Sequence, residues 1–128
     1  MYFHKNILVP RLTLPTDPQE SVLELACGVI EKVYVGFPYG CAGLVGVKIL
    51  AYQSQIVPLN ENDYLAWDEY VFPVLVRFSL WQNPYQVNIL TFNEDDTYNH
   101  RVFVGVELLP VSAEAMLSTW LAWLGGGE

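Results

Sequence analysis

Positive charge is what this 128-residue chain has least of. Six basic residues stand against fourteen acidic ones, and the basic ones (Lys5, Arg11, Lys32, Lys48, Arg77 and Arg101) are spread singly along the sequence. No cluster exists that would neutralise a row of phosphates or dock on an anionic bilayer, so neither a nucleic acid nor a membrane is expected as partner. No stretch reaches the ~20 apolar residues of a membrane span. The opening Met-Tyr-Phe-His-Lys-Asn also lacks the apolar run of a secretory signal, and the chain is expected to be soluble and unprocessed. Two cysteines and two distant histidines are too few for a thiolate or imidazole metal site. Cys27 and Cys41 flank a segment that reads as a strand and a turn, which would hold them beyond the ~7 Å a disulfide tolerates. Neither His4 nor His100 stands beside a glycine-rich nucleophile turn. No catalytic residue and no cofactor is expected, and His100 is read as a strand-end residue that hydrogen-bonds its own turn.

Charge of either sign is also sparse, at 16% of residues, against roughly 25% in ordinary soluble domains. Apolar and aromatic residues make up 52%. The length suits one domain with one core, and a surface left this apolar after folding calls for a partner.

The order of the chain is β-like almost throughout. From 1 to 20, Pro10, Pro15 and Pro18 interrupt any helix, while Ile7-Leu8-Val9 with Leu12 and Leu14 is too apolar for a free tail; an extended arm or edge strand is expected. It lies either on its own domain or across a neighbouring subunit. Residues 21–110 then give short β-rich runs between turn residues, the pattern of an antiparallel sandwich. Val22 to Ala26 is the first run. Val29 to Phe37 follows, with Val29, Glu31, Val33, Val35 and Phe37 on one face, and the breaker-rich Pro38 to Gly43 turns it into Leu44 to Tyr52 as a hairpin partner, with Val45, Val47, Ile49 and Ala51 on one face. Gln55 to Leu59 is a short strand, and Tyr64 to Tyr70 a loop or one helical turn. Val71 to Trp81 points Val74, Val76, Phe78 and Leu80 inward. Asn83-Pro84 turns, and Tyr85 to Phe92 and Arg101 to Leu109 close a set of seven or eight strands. The expected class is all-β: an antiparallel sandwich, jelly-roll or immunoglobulin-like.

Residues 111–128 form a separate piece. Ser112 suits an N-cap, Glu114 the positive end of a helix dipole, and Gly125-Gly126-Gly127 a stop, which predicts a short helix over Ala113 to Leu124. Its Met116, Leu117, Trp120, Leu121, Trp123 and Leu124 cover more than one core-facing stripe. These six are the candidate partner-binding residues, with Trp120 or Trp123 central to the contact.

Two polar loops, Asn60-Glu61-Asn62-Asp63 and Asn93-Glu94-Asp95-Asp96, carry oxygen ligands that would hold calcium if the loops met, although the EF-hand spacing is absent. Asp68-Glu69 and Asp95-Asp96 are adjacent carboxylates, which a strand would point to opposite faces, so neither pair is a glycosidase couple. Tyr64, Trp67, Tyr70, Trp81, Tyr85 and Tyr98 fall at or near loops. Core packing accounts for most of them, while an exposed platform among them, with the acidic loops, would make a lectin-like binding module.

The run from Val33-Tyr34-Val35-Gly36-Phe37-Pro38 through Gly40-Cys41-Ala42-Gly43-Leu44-Val45 and Gln55-Ile56-Val57-Pro58 to Asn93-Glu94-Asp95-Asp96-Thr97-Tyr98-Asn99-His100 resembles small β-sandwich proteins encoded among virion genes of environmental tailed phages. It runs from residue 33 to residue 100. The resemblance implies a structural component of a virus particle, such as a capsid decoration or vertex subunit. It carries over no catalytic residues. The expected role is therefore a non-enzymatic subunit of the virion, present in the host cytoplasm before assembly, a homo-oligomer that binds copies of itself and other virion proteins.

Overall fold

A computed structural model describes residues 1–60 and 63–111. Those residues form nine strands: β1 (Tyr2–Val9), β2 (Gln19–Glu24), β3 (Gly28–Phe37), β4 (Val45–Ala51), β5 (Ser54–Val57), β6 (Leu65–Ala66), β7 (Tyr70–Leu80), β8 (Gln86–Asn93) and β9 (His100–Pro110). Every pairing is antiparallel. One sheet has the order β1-β9-β3-β7 and the other β2-β8-β4-β5, with the two-residue β6 also on β4. No helix occurs among the described residues; the one expected over Ala113 to Leu124 lies outside them.

The pairing is nested. β1 takes β9, β2 takes β8 and β3 takes β7, as if one long antiparallel ribbon had been rolled up. Each sheet presents an apolar face to the same core, because β residues alternate in direction and β4, β8 and β9 carry branched residues at every second, inward position. Val9, Ile30, Val33, Val35, Val102, Val104 and Val106 come from one sheet, and Val45, Val47, Ile49, Val57, Val87 and Ile89 from the other. Phe72, Val74, Val76 and Phe78 pack against this core from β7, with Leu80 fully buried, so the inward set expected for that strand is the one observed.

Two expectations are corrected. β3 and β4 do not form a hairpin: β3 lies between β9 and β7, and β4 between β8 and β5. The turn rich in breakers carries the chain from one sheet to the other, with Gly40, Ala42 and Gly43 all at positive φ and the Gly40 N–H held by the Asp68 carboxylate at 2.9 Å. The inward face of β3 also changes part-way. Its register shifts between Ile30 and Lys32 against both neighbours, so Ile30, Val33, Val35 and Phe37 are buried while Glu31 is exposed. Such a bulge inserts a residue and inverts the alternation. Val29 and Glu31 therefore do not share the face of Val33.

Four connections pass between the sheets at one end of the structure: β1 to β2, β3 to β4, β6 to β7 and β8 to β9. Asn93 ties most of them together. Its fully buried side-chain amide donates to the carbonyls of Val9 and Tyr98, each at 3.0 Å, and its oxygen accepts the Asp95 N–H at 3.0 Å. Its main-chain N–H donates to Thr13 at 2.8 Å, and the next residue, Glu94, donates to Leu44 at 2.9 Å. The residues 10–18 that follow β1 are thus pinned to β8 as well as leaving β1 paired on β9. Replacing Asn93 by alanine strands buried carbonyls, each costing about 1–3 kcal/mol. Asn93→Ala is expected to lower the unfolding free energy by about 3 kcal/mol, read as a shift in urea midpoint with an unchanged slope.

Candidate functional site

The six apolar side chains expected to bind a partner, Met116, Leu117, Trp120, Leu121, Trp123 and Leu124, lie outside the described residues. Among the described ones, the feature that departs most from an ordinary antiparallel sheet is the outer face of β1-β9-β3-β7. A sheet with one face in a core normally turns polar residues outward. Here the outward rows run Tyr2, Glu107, Lys32, Leu75; then His4, Gly105, Tyr34, Pro73; then Asn6, Phe103, Gly36, Val71.

One glycine, Gly105, makes room for an aromatic ring on this face. The Tyr2 ring occupies the space a side chain at Gly105 would need, and Phe103 and Val71 flank Gly36. Tyr2 meets Tyr34 edge-on at 6.3 Å and His4 stacks on Phe103 at 5.9 Å. The few charges are partly engaged: Lys32 sits 5.8 Å from the centre of the Tyr34 ring, and Glu107 accepts the Tyr34 hydroxyl at 3.1 Å. Burial and that carboxylate push the Tyr34 phenol above its ordinary range, so it stays neutral and donating. Toward the β7 edge the face becomes aliphatic, with Val71 at 52% and Leu75 at 65% of full exposure. Leu8 and Leu109 extend the exposed apolar surface.

The sequence carried a signal for this face that alternation alone passes over. In β7, Val71, Pro73 and Leu75 stand between inward residues, so the strand is apolar on both sides. Gly105 sits inside a strand, where it marks the close approach of the Tyr2 ring.

The loop aromatics do not gather on one platform. Trp67 and Tyr70 meet around Phe72 at 6.4 and 4.8 Å, at the end of β3 where Phe37 pairs with Tyr70. Trp81 follows the opposite end of β7, where Leu80 pairs with Gly28, and Tyr85 is placed beside Cys27 there. Tyr64 packs edge-on against Phe92 at 4.7 Å with Lys48 over its ring at 4.6 Å, and its burial raises the phenol's pKa. Tyr98 belongs to the β8–β9 loop and its carbonyl is held by Asn93.

That acidic loop spends its oxygens on itself. Asp95 Oδ1 accepts the N–H groups of Thr97 and Tyr98 at 2.8 and 3.2 Å, and Oδ2 lies 2.8 Å from His100 Nε2. Asp96 accepts the Thr97 hydroxyl at 2.8 Å. In the other acidic loop, Glu61 and Asn62 lie outside the described residues, while Gln55 Nε2 reaches the carbonyls of Pro58, Asn60 and Asp63. Among the described residues no three His, Cys, Asp or Glu side chains are placed to hold a metal ion. Asp68 bonds the Gly40 N–H while Glu69 is at positive φ beyond it.

His100 bonds the turn that precedes its strand, and Cys41 is buried near Asp68 and Asp95, its thiol pushed up to about 11 by burial first and by those carboxylates second. A thiol held protonated in this way is a poor nucleophile. Cys27 and Cys41 stand at opposite ends of β3, and both are free thiols.

With this geometry in view, the chain was compared with protein-family models, curated proteins and solved structures, and none of the three gave a significant match.

The bond from His100, followed by the Thr97 N–H, holds the Asp95 carboxyl below the usual range. A depressed carboxyl contributes stability that is present above its unfolded value, about 3.9, and disappears as pH falls through the folded value. The thermal midpoint of the parent is expected to exceed that of Asp95→Asn near neutrality, and the gap is expected to close in acid. A gap independent of pH would show that Asp95 contributes through shape alone.

Proposed function

We propose that the chain is a non-enzymatic structural subunit of a multi-copy assembly, such as a decoration or vertex protein of a virus particle. It binds copies of itself and other proteins of that assembly, and its working location is the particle. The fold we infer is the jelly-roll form of the β-sandwich, supported by the nested order β1–β9, β2–β8, β3–β7, which follows from rolling one antiparallel ribbon. Capsid and lectin domains share that architecture, so it raises the reading without carrying it.

The observation that carries it is the outer face of the four-stranded sheet. Val71, Pro73 and Leu75 follow one another along β7, with Phe103 across Gly36 from Val71 and Tyr34 next to Pro73, while Glu107 and Lys32 stand between Leu75 and Tyr2 and Arg101 lies beside Leu8. An apolar patch of this kind on a soluble domain marks an interface, and burying a Leu or Val there is worth roughly 1.5–3 kcal/mol. The apolar residues Met116, Leu117, Trp120, Leu121, Trp123 and Leu124 would supply a second contact in the same assembly. The loop aromatics, divided between the two ends of the sheets, give the lectin-like alternative no common platform.

Sedimentation or light scattering tests the reading directly. The parent is expected to self-associate in a concentration-dependent way, and Val71→Lys with Leu75→Glu is expected to give a folded species of lower mass. Trp120→Ser with Trp123→Ser is expected to weaken association further. A parent that is monomeric at all concentrations, or a charged variant of unchanged mass, would contradict it.

A further inference from the structure

The outer face of the other sheet is polar and holds a shallow groove of about 330 Å³ lined by Tyr52, Gln53, Pro84, Gln86 and Asn88. The size falls at the low end of the roughly 300–1,000 Å³ typical of small-molecule sites. No charged side chain is among those five. Instead three carboxamides stand together, and an amide both donates and accepts, as a hydroxyl does. The amides are positioned: Gln86 Nε2 donates to Asn88 Oδ1 at 3.3 Å, and Asn88 Nδ2 donates to Glu20 Oε1 at 3.0 Å.

Tyr52 brings an aromatic ring whose orientation is fixed. Its hydroxyl donates to the Gln82 carbonyl and accepts the Gln82 N–H at 3.2 Å, and its ring leans on Phe78 at 6.0 Å. Tyr52 and Gln53 are the two central residues of the β4–β5 hairpin, with φ of 49° and 66°. Both positions of such a turn favour Asn or Gly, and a Tyr-Gln pair holds them against backbone strain. Strain of this kind is tolerated where the side chains have work to do.

We propose that this groove is a binding subsite for a neutral saccharide of one or two rings, with the amides of Gln53, Gln86 and Asn88 meeting hydroxyls and Tyr52 and Pro84 meeting the C–H faces of the ring. The lack of charge in the lining selects against anionic ligands. The groove lies on the opposite sheet from the apolar face, so the subsite stands or falls apart from the assembly reading.

The test is an amide-resolved NMR titration of the full chain with maltose, cellobiose, lactose and chitobiose at millimolar concentrations, with glucuronate as anionic control. At least one disaccharide is expected to move the amide signals of Tyr52, Gln53, Gln86 and Asn88 and to saturate, while glucuronate does not. Gln53→Gly relaxes the turn, and it is expected to raise the thermal midpoint yet weaken binding about tenfold; Asn88→Ala is expected to weaken it similarly. No saturable shift with any of the four sugars would overturn the proposal, as would shifts centred on Trp67 and Tyr70, tighter binding of glucuronate, or parental affinity in both variants.

Discussion

The buried side chain of Asn93 is the point on which the wrapping of the two sheets depends. A primary amide removed from water loses several kcal/mol unless each of its polar atoms finds a partner. Asn93 finds them in Val9, Tyr98 and Asp95, which belong to the end of β1 and the loop before β9. Satisfying one side chain therefore requires that strands from different sheets end at the same place. The bonds from Asn93 to Thr13 and from Glu94 to Leu44 extend the constraint to the β1–β2 and β3–β4 connections. The Arg11 N–H donates to Asn99 Oδ1 and the Leu12 N–H to the Asp95 carbonyl in the same loop. Core burial drives the sheets together without direction; this polar junction supplies the direction.

With the crossings fixed at one end, the two outer faces are left with different chemistry. On the five-stranded sheet the outward residues include Glu20, Glu24, Lys48, Gln86 and Asn88, the polar surface expected of a solvated sheet. On the four-stranded sheet the corresponding positions mix aromatic and aliphatic residues with Lys32, Glu107, His4 and Asn6, and Gly105 lets the Tyr2 ring lie close to the backbone. A composition with 52% apolar residues has more of them than one core accommodates. Part of the surplus lies on this face, where the edge strand β7 carries Pro73 and a bulge near Arg77 that limit open-ended strand addition. The pattern favours association face to face.

How far the sequence revealed this can be followed strand by strand. β4 was legible because Val45, Val47, Ile49 and Ala51 alternate without interruption and all are buried. β7 was legible on its inner side for the same reason. β3 was only half legible, since a bulge at Glu31 reverses which residues face the core and nothing in Val-Ile-Glu-Lys-Val announces it. The β3–β4 turn was misread because glycines and proline serve a hairpin and a crossing between sheets equally well; the choice was made by Asp68, twenty-eight residues away from Gly40. The apolar outer face was visible in composition as a surplus, yet its location required the register. The groove beside Tyr52 was not visible at all, because its residues come from two turns and a strand that meet only after pairing.

Concentration-dependent side-chain footprinting tests the central claim, that the outer face of β1-β9-β3-β7 is an interface. Hydroxyl-radical labelling of Tyr2, Val71, Leu75 and Phe103 is predicted to fall as the protein is concentrated, while labelling of Tyr52 on the other sheet stays constant. Labelling of all five that is unchanged by concentration would contradict the account.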